Sequence, residues 1–114
     1  MLSKFVTLKL GIKKNTIDGL LIHIPTGSKT AMIATKNKFA ASSVVLSREN
    51  IKSGVIKHIF INSGNANACT GTKGYKNSEE ILSILSKKLD CSPDQILIMS
   101  TGIIGRQLPI KKNY

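Results

Sequence analysis

Two short runs of small and polar residues, each directly after an apolar run, contain the side chains most able to do chemistry. Residues 62–71 (NSGNANACTG) follow the apolar residues 59–61 and include three Asn and two Gly. Residues 100–102 (STG) follow the apolar residues 96–99. In layered α/β proteins, sites collect where strands end and loops with exposed backbone amides begin. We therefore expect a binding or catalytic site at these two junctions.

Thr101 and Gly102 are suited to the chemistry of an oxyanion hole. The amide of a glycine is not shielded by a side chain, and a threonine hydroxyl is a second short donor. Donors aimed at a developing negative oxygen contribute about 3–4 kcal/mol each to transition-state stabilisation. The same pair also suits a tight turn, in which Gly supplies a positive φ and Thr bonds its own backbone. The spacing alone favours the turn.

Cys69, Asn65 and Asn67 each allow two interpretations. Cys69 could be a thiol nucleophile with His58 or His23 as its base, but such a pair needs a spatial adjacency that spacing does not show. A small buried Cys that fills a tight turn is the favoured interpretation. Asn65 and Asn67 could form the floor of a site or satisfy the backbone of the turn, and the second is favoured.

Neither a metal nor a cofactor is predicted. His23, His58, Cys69 and Cys91 do not follow a zinc-binding spacing. We expect His23 to be a hydrogen-bonded structural histidine and Cys91 to be a packing residue. The glycines of residues 64–74 lack the GxGxxG spacing after a strand, and the GKS or GKT ending, that nucleotide-binding loops require.

The apolar pattern predicts the elements that position these residues. It indicates an α/β layer structure, with a mixed sheet on which helices pack and with most strands in the first half of the chain. The turn signal of residues 25–28 (PTGS) predicts that the runs on either side of it form an antiparallel pair. Strands are predicted over residues 5–10, 20–24, 30–35, 43–46, 57–61 and 96–99.

One helix is predicted over residues 77–89. Asn77 can cap it, and Glu80 three residues later completes a capping-box pattern. Pro93 prevents the helix from continuing. The apolar face of the helix consists of Ile81, Leu82, Leu85 and Leu89.

The composition favours one cytoplasmic globular domain over residues 1–114. Hydrophobic residues make up 41% of the chain, which is ordinary for a folded domain. No apolar stretch approaches the roughly 20 residues that span a bilayer, and the first residues lack the features of a signal peptide. We therefore expect reduced thiols at both cysteines and no membrane partner.

The net charge of +11 raises the alternative of a nucleic-acid-binding protein. Fifteen of the 17 basic residues are Lys, and they are spread from Lys4 to Lys112. The chain has no Trp, and only three Phe and two Tyr on which bases could stack. Because the charge is dispersed and aromatic residues are few, we expect no nucleic-acid partner.

Several segments, in order along the chain, resemble the bifunctional ornithine acetyltransferase / glutamate N-acetyltransferase family. The run INSGNANACTG at residues 61–71 is similar to the most recognisable segment of that family, and STGIIG at residues 100–105 is similar to its second landmark. The similar segments are residues 34–38, 40–41, 46–50, 61–71, 100–105 and 108–109. They extend over nearly the whole chain.

The resemblance implies an N-terminal-nucleophile-like acyltransferase fold and a concrete reaction. Members of the family move an acetyl group from N2-acetylornithine to glutamate in arginine biosynthesis, through an acyl-threonine intermediate and without a cofactor. Their precursor cleaves itself before the nucleophilic threonine, which becomes the first residue of a second (β) chain. Their oxyanion hole is a Thr-Gly pair, which corresponds here to Thr101 and Gly102.

The cleavage region and the nucleophilic threonine of the family have no counterpart in these 114 residues. We therefore expect the chain to resemble the N-terminal portion of the first (α) chain and to be inactive alone. Its expected partners are the two substrates and a second chain that carries the threonine, and association into an oligomer is possible. The alternative functions are a non-catalytic remnant or binding module and, with less support, a basic nucleic-acid-binding domain.

Overall fold

A four-stranded mixed sheet lies at the centre of the computed structural model, which describes residues 3–110. The strand order is β1-β2-β3-β4, with β1–β2 and β2–β3 antiparallel and β3–β4 parallel. The parallel pair is joined by a helical crossover, as this pairing requires. The elements in chain order are β1 (Lys4–Leu8), β2 (Gly19–His23), α1 (Ser42–Asn50), β3 (His58–Asn62), α2 (Gly71–Leu89) and β4 (Ile96–Ser100). The predicted α/β fold class is confirmed.

The core lies between one face of the sheet and α2. Alternate residues of a strand point to opposite faces, so Phe60 and Ile98 share the inner face. They pack with Ile81 and Leu82 of α2, and all four side chains are buried. The apolar helix face predicted from the sequence is therefore confirmed.

Helix α1 lies along β4, the edge strand at one side of the sheet. The Ser47 hydroxyl donates to the Ile98 carbonyl at 2.7 Å and accepts from the Ile98 amide at 2.9 Å. One turn later, the Asn50 side chain donates to the Ile96 carbonyl at 2.9 Å. These bonds satisfy backbone groups that an edge strand otherwise leaves unpaired.

Two predicted strands are wrong. Residues 30–35 have no regular structure and do not pair with β2, because β1 and β3 occupy both edges of that strand. Residues 43–46 lie inside helix α1. The two valines at positions 44 and 45 favour a strand locally, but the buried serines 42, 43 and 47 place one helix face against the sheet edge.

The predicted start of the long helix is also wrong. Helix α2 begins at Gly71, so Asn77 lies within it and donates from its side chain to Gln107 at 3.0 Å instead of capping. The capping position is held by Thr70.

Strand β4 is buried at Ile96, Leu97 and Ile98, whereas Met99 is exposed.

Candidate functional site

The two junctions singled out in the sequence lie side by side in the structure. Because β3 and β4 are parallel, their carboxyl ends share one edge of the sheet, and Asn62 pairs with Ser100. The Thr101 amide donates to the Asn62 carbonyl at 3.1 Å, and the Ser100 hydroxyl donates to Asn62 Oδ1 at 2.6 Å. Asn62 Nδ2 in turn donates to the Asn65 carbonyl at 2.8 Å. The buried Asn62 therefore joins both junctions.

The backbone contact continues beyond the strands. Asn65 and Ile103 form an isolated parallel bridge, and the Ala66 amide donates to the Ile103 carbonyl at 3.0 Å. Farther along, the Gly105 amide donates to the Ala68 carbonyl at 2.8 Å. The loops after β3 and β4 thus run together and hold each other in place.

Gly102 lies where these two loops touch. Its φ of 128° is in the region that favours glycine. A Cβ at this position would lie 2.4 Å from the carbonyl carbon of Gly64 and 2.6 Å from the amide nitrogen of Asn65. Any side chain at Gly102 would therefore push the loops apart.

Thr101 and Gly102 leave two hydrogen-bond donors unengaged. Within residues 3–110, neither the Thr101 hydroxyl nor the Gly102 amide makes a hydrogen bond, and both residues are exposed. The Thr101 backbone amide, by contrast, is engaged by Asn62. Unengaged donors on an anchored backbone are what stabilisation of an oxyanion requires. That role for the pair stays a prediction.

The buried asparagines 65 and 67 bond mainly to backbone. Asn65 Oδ1 accepts from the Asn67 amide at 2.8 Å, and Asn65 Nδ2 donates to the Arg106 carbonyl at 2.9 Å. Asn67 Nδ2 donates to the Gly74 carbonyl at 2.9 Å and to the Ser78 hydroxyl at 2.7 Å. These contacts tie the loop to α2 and support the structural interpretation of both residues.

Asp18 is a buried carboxylate that no sequence pattern predicted. Its Oδ1 accepts from the Leu10 amide, and its Oδ2 accepts from the amides of Ile12 and Lys13 at 2.7 and 2.8 Å. Burial alone would raise the pKa of Asp18. The three amide hydrogen bonds outweigh that effect and hold the pKa below its ordinary value of 3.8.

Asp18 supports the candidate site from below. Its carbonyl accepts from the Ser63 amide at 2.8 Å. The loop that it organises packs on Gly64, where a Cβ would lie 2.9 Å from side-chain carbons of Ile12 and Lys13. Gly64 contacts Gly102 in turn. Only the Asp-Gly pair at which β2 begins marks this residue in the sequence, and that pattern is common in turns.

The structure does not bring Cys69 and the histidines together. Cys69 follows the carboxyl end of β3, whereas His58 begins that strand. Cys69 is exposed and has a φ of 55°, so the expectation of a buried turn cysteine is wrong. Cys91 packs against the core, which confirms its packing role, and burial raises the pKa of its thiol.

His23 and His58 lie at the amino end of β3, opposite to the candidate site. The His23 side chain is exposed and makes no hydrogen bond within residues 3–110, so the expectation of a hydrogen-bonded structural histidine is wrong. His58 is buried. Burial, with added repulsion from His23 and Lys57, lowers the pKa of His58 below 6.5.

A groove of about 570 Å³ adjoins the site at Ser100. It is formed by residues 30–35, by one side of α1, and by the outer face of the sheet at Ile59, Leu97 and Met99. Its lining is mainly apolar. The groove therefore offers space for an aliphatic chain beside the end of β4.

A sequence model of the ArgJ family matches residues 4–114. The chain belongs to the ArgJ family. It is 42% identical over 101 residues to the arginine biosynthesis bifunctional protein ArgJ 2 of Clostridium acetobutylicum, and 44% identical over 110 residues to the mitochondrial ArgJ protein of Dictyostelium discoideum. These matches cover 89% and 93% of this chain but only 26% and 25% of the relatives. The chain thus spans about a quarter of the length of the ArgJ relatives it matches.

Two solved ArgJ-type structures share the fold. The crystal structure of ArgJ from Bacillus halodurans matches with a TM-score of 0.89 at 27% identity, over 96% of this chain and 58% of that one. Ornithine acetyltransferase from Mycobacterium tuberculosis, solved in complex with ornithine, matches with a TM-score of 0.83 at 26% identity, over 96% and 61%. The family resemblance noted in the sequence is confirmed.

No helix within residues 3–110 could cross a membrane.

Proposed function

We propose that this chain supplies the oxyanion-stabilising part of an acetyltransferase site. The reaction is transfer of an acetyl group from N2-acetylornithine to glutamate in arginine biosynthesis. The observation that carries the proposal is the pair of unengaged donors at Thr101 and Gly102, at the joined ends of β3 and β4, in a chain of the ArgJ family. The ornithine bound in the Mycobacterium tuberculosis relative agrees with this substrate class.

In the proposed mechanism, the nucleophile is a threonine on a second polypeptide segment. Its hydroxyl attacks the acetyl carbonyl of N2-acetylornithine and passes its proton to the α-amino group of the same threonine. The carbonyl electron pair moves onto oxygen, where the Thr101 hydroxyl and the Gly102 amide donate to it. Collapse of this intermediate expels ornithine, which takes up the proton, and leaves an acyl-threonine. The amine of glutamate then attacks the acyl-threonine and gives up a proton to the threonine α-amino group. The ester bond breaks, the threonine oxygen takes up that proton, and N-acetylglutamate departs.

The anchored backbone explains how the two donors could act without rearrangement. Thr101 is fixed through its own amide to Asn62, and Gly102 rests directly on Gly64. Donors that are already oriented need no reorganisation as charge develops, which is the main source of their catalytic effect. Asn62 links the two loops, since it accepts from the Ser100 hydroxyl and donates to the Asn65 carbonyl.

The test uses this chain co-expressed with the remaining sequence of the Clostridium acetobutylicum ArgJ 2 protein. We expect acetyl transfer from N2-acetylornithine to glutamate, and we expect Thr101→Val to lower kcat about 10²–10³-fold with little change in KM. Thr101→Ser is the matched control, because it keeps the hydroxyl, and it should retain most of the activity.

Three results would contradict the proposal. Equal kcat values for the parent and Thr101→Val would remove the oxyanion role of Thr101. Absence of acetyl transfer in a folded, co-purified assembly would favour the non-catalytic alternative. Turnover by the 114-residue chain alone would contradict the assignment of the nucleophile to a second segment.

A further inference from the structure

His23 and His58 are direct neighbours on adjacent strands. They are partners in the antiparallel register of β2 and β3. The Ile24 amide donates to the Lys57 carbonyl at 2.8 Å, which makes the histidines a non-hydrogen-bonded pair. In such pairs the side chains project from the same face and lie closer than in hydrogen-bonded pairs. The register therefore brings together two imidazoles that are 35 positions apart in sequence.

The separation of the two rings matches that of ligands on one metal ion. Their centroids are 5.1 Å apart, and the ring planes are inclined by 52°. A Zn–N bond of about 2.1 Å places each ring centre about 3.2 Å from the ion, so a tetrahedral angle puts two ring centres about 5.2 Å apart. The two rings are thus no farther apart than two imidazoles bound to one ion.

His58 also has an unused nitrogen. Its side chain is only 8% exposed, and Nδ1 makes no hydrogen bond within residues 3–110. A buried polar atom without a partner costs about 1–3 kcal/mol, which a bound ligand would recover. Both histidines line a cavity of about 530 Å³, and the carboxylate-bearing Asp90 lines it as well.

We propose that His23 and His58 form a binding site for a divalent transition metal ion, at the opposite end of β3 from Thr101 and Gly102. The part of the chain that the structure describes contains no cluster of three or more His, Cys, Asp or Glu residues placed to hold a metal. The site therefore supplies two imidazole ligands and leaves the other positions to water. For such a site Cu²⁺ binds more tightly than Zn²⁺.

The charges around the cavity set the salt dependence of binding. Lys29 and Lys57 line the cavity together with a single acidic residue, Asp90. Their net positive charge repels a divalent cation, and salt screens that repulsion. Zn²⁺ affinity should therefore rise with ionic strength, whereas binding to scattered surface carboxylates would weaken.

The test is calorimetric titration of the full chain with ZnCl₂ and with CuCl₂ in a non-chelating buffer at two salt concentrations. We expect one ion per chain, tighter Cu²⁺ than Zn²⁺ binding, and a loss of affinity of more than about tenfold in His23→Gln and in His58→Gln, since each removes the chelate effect. His23 is exposed, so His23→Gln should stay folded even if His58→Gln does not. Cys69→Ser is the control and should bind as the parent does.

Spectroscopy of the Cu²⁺ complex supplies the second readout. Two coordinated imidazoles should give nitrogen hyperfine structure from two equivalent donors in the parent and from one in His23→Gln. Unchanged Zn²⁺ affinity in His23→Gln, or affinity that falls with added salt, would overturn the proposal. So would failure of the folded parent to bind either ion.

Discussion

Gly102 is the residue at which the geometry of the site is most tightly set. It combines a positive φ with direct contact against the backbone of Gly64, so both its conformation and its lack of a side chain are needed. Gly105 also has a positive φ, of 81°, but nothing lies within 4 Å of the position of its Cβ. A side chain at Gly105 would therefore introduce only backbone strain, whereas a side chain at Gly102 would introduce both strain and a steric clash.

We predict that Gly102→Ala lowers the free energy of unfolding by about 2–5 kcal/mol, the sum of backbone strain and overpacking. Gly105→Ala should cost only the strain, about 1–2 kcal/mol. Urea denaturation of both variants measures the difference. Equal losses would mean that the loops separate easily and that the contact with Gly64 is unimportant.

Asp18 is a second single residue on which the site depends, because its charged carboxylate accepts three backbone hydrogen bonds. We predict that Asp18→Asn lowers the free energy of unfolding by about 1–3 kcal/mol at neutral pH, because the buried amides lose a charged acceptor. Its pKa is lowered in the folded chain, so its stabilising contribution is complete above 3.8 and is lost as pH falls through the folded-state pKa. The difference between parent and variant should therefore shrink between pH 5 and strongly acid solution.

Urea denaturation from pH 7 down to pH 3 measures this trend. Glu79→Gln, on an exposed position of α2, is the control for removal of one carboxylate. A gap between parent and Asp18→Asn that widens on acidification would contradict the assigned direction of the pKa.

At the scale of elements, α1 is the clearest departure from the sequence pattern. Residues 43–46 contain the apolar stretch of a strand, and only the position of the helix along β4 explains the buried serines around it. The start of α2 was missed for a related reason. Gly71 and Gly74 are poor helix formers, but Asn67 bonds the first turns from outside the helix. In both helices, contacts distant in sequence outweigh local preference.

We predict that Ser47→Ala lowers the free energy of unfolding by about 1–3 kcal/mol, because it leaves the buried amide and carbonyl of Ile98 without their partner. Ser53→Ala is the matched control, since its hydroxyl bonds only the nearby exposed Val55. It should change the stability by less than about 0.5 kcal/mol. Chemical denaturation compares the two, and similar losses would argue against the role of Ser47 at the sheet edge.

For the whole molecule, the exposed apolar side chains are the notable feature. Ile33 and Phe39, in the irregular segment between β2 and α1, are 102% and 85% exposed. Phe5 on β1 and Met99 on β4 are exposed on the outer face of the sheet. Contiguous exposed apolar surface favours association.

We predict that the isolated chain self-associates with rising concentration, and that the double variant Ile33→Ser/Phe39→Ser does so less without loss of stability. Both side chains are already in solvent, so their removal leaves the core intact. Light scattering coupled to size-exclusion chromatography measures the association, with Lys36→Ser in the same segment as control. A parent that stays monomeric at all concentrations would contradict the prediction.

The sequence was sufficient for features that depend on local pattern. The strands around residues 57–61 and 96–99, and the placement of Thr101 and Gly102 at a strand end, followed from apolar runs that stop at small residues. Features that depend on pairing were not accessible. Residues 30–35 do not form a strand, because β2 already pairs with β1 and β3. The loop that Asp18 organises beneath Gly64 has no distinctive local sequence pattern.

Because the Ser47 hydroxyl bonds the Ile98 amide, hydrogen exchange at that amide reports on the movement of α1. The Ile98 amide is held by a side chain of α1 rather than by a strand, at 2.9 Å. Its exchange with deuterium therefore follows departure of α1 from the sheet edge, whereas the alternate amides of β4, directed at β3, follow opening of the sheet itself. The exchange rates of two sets of amides in β4 therefore report separately on the detachment of α1 and on the opening of the sheet, and one hydrogen-exchange experiment measures both.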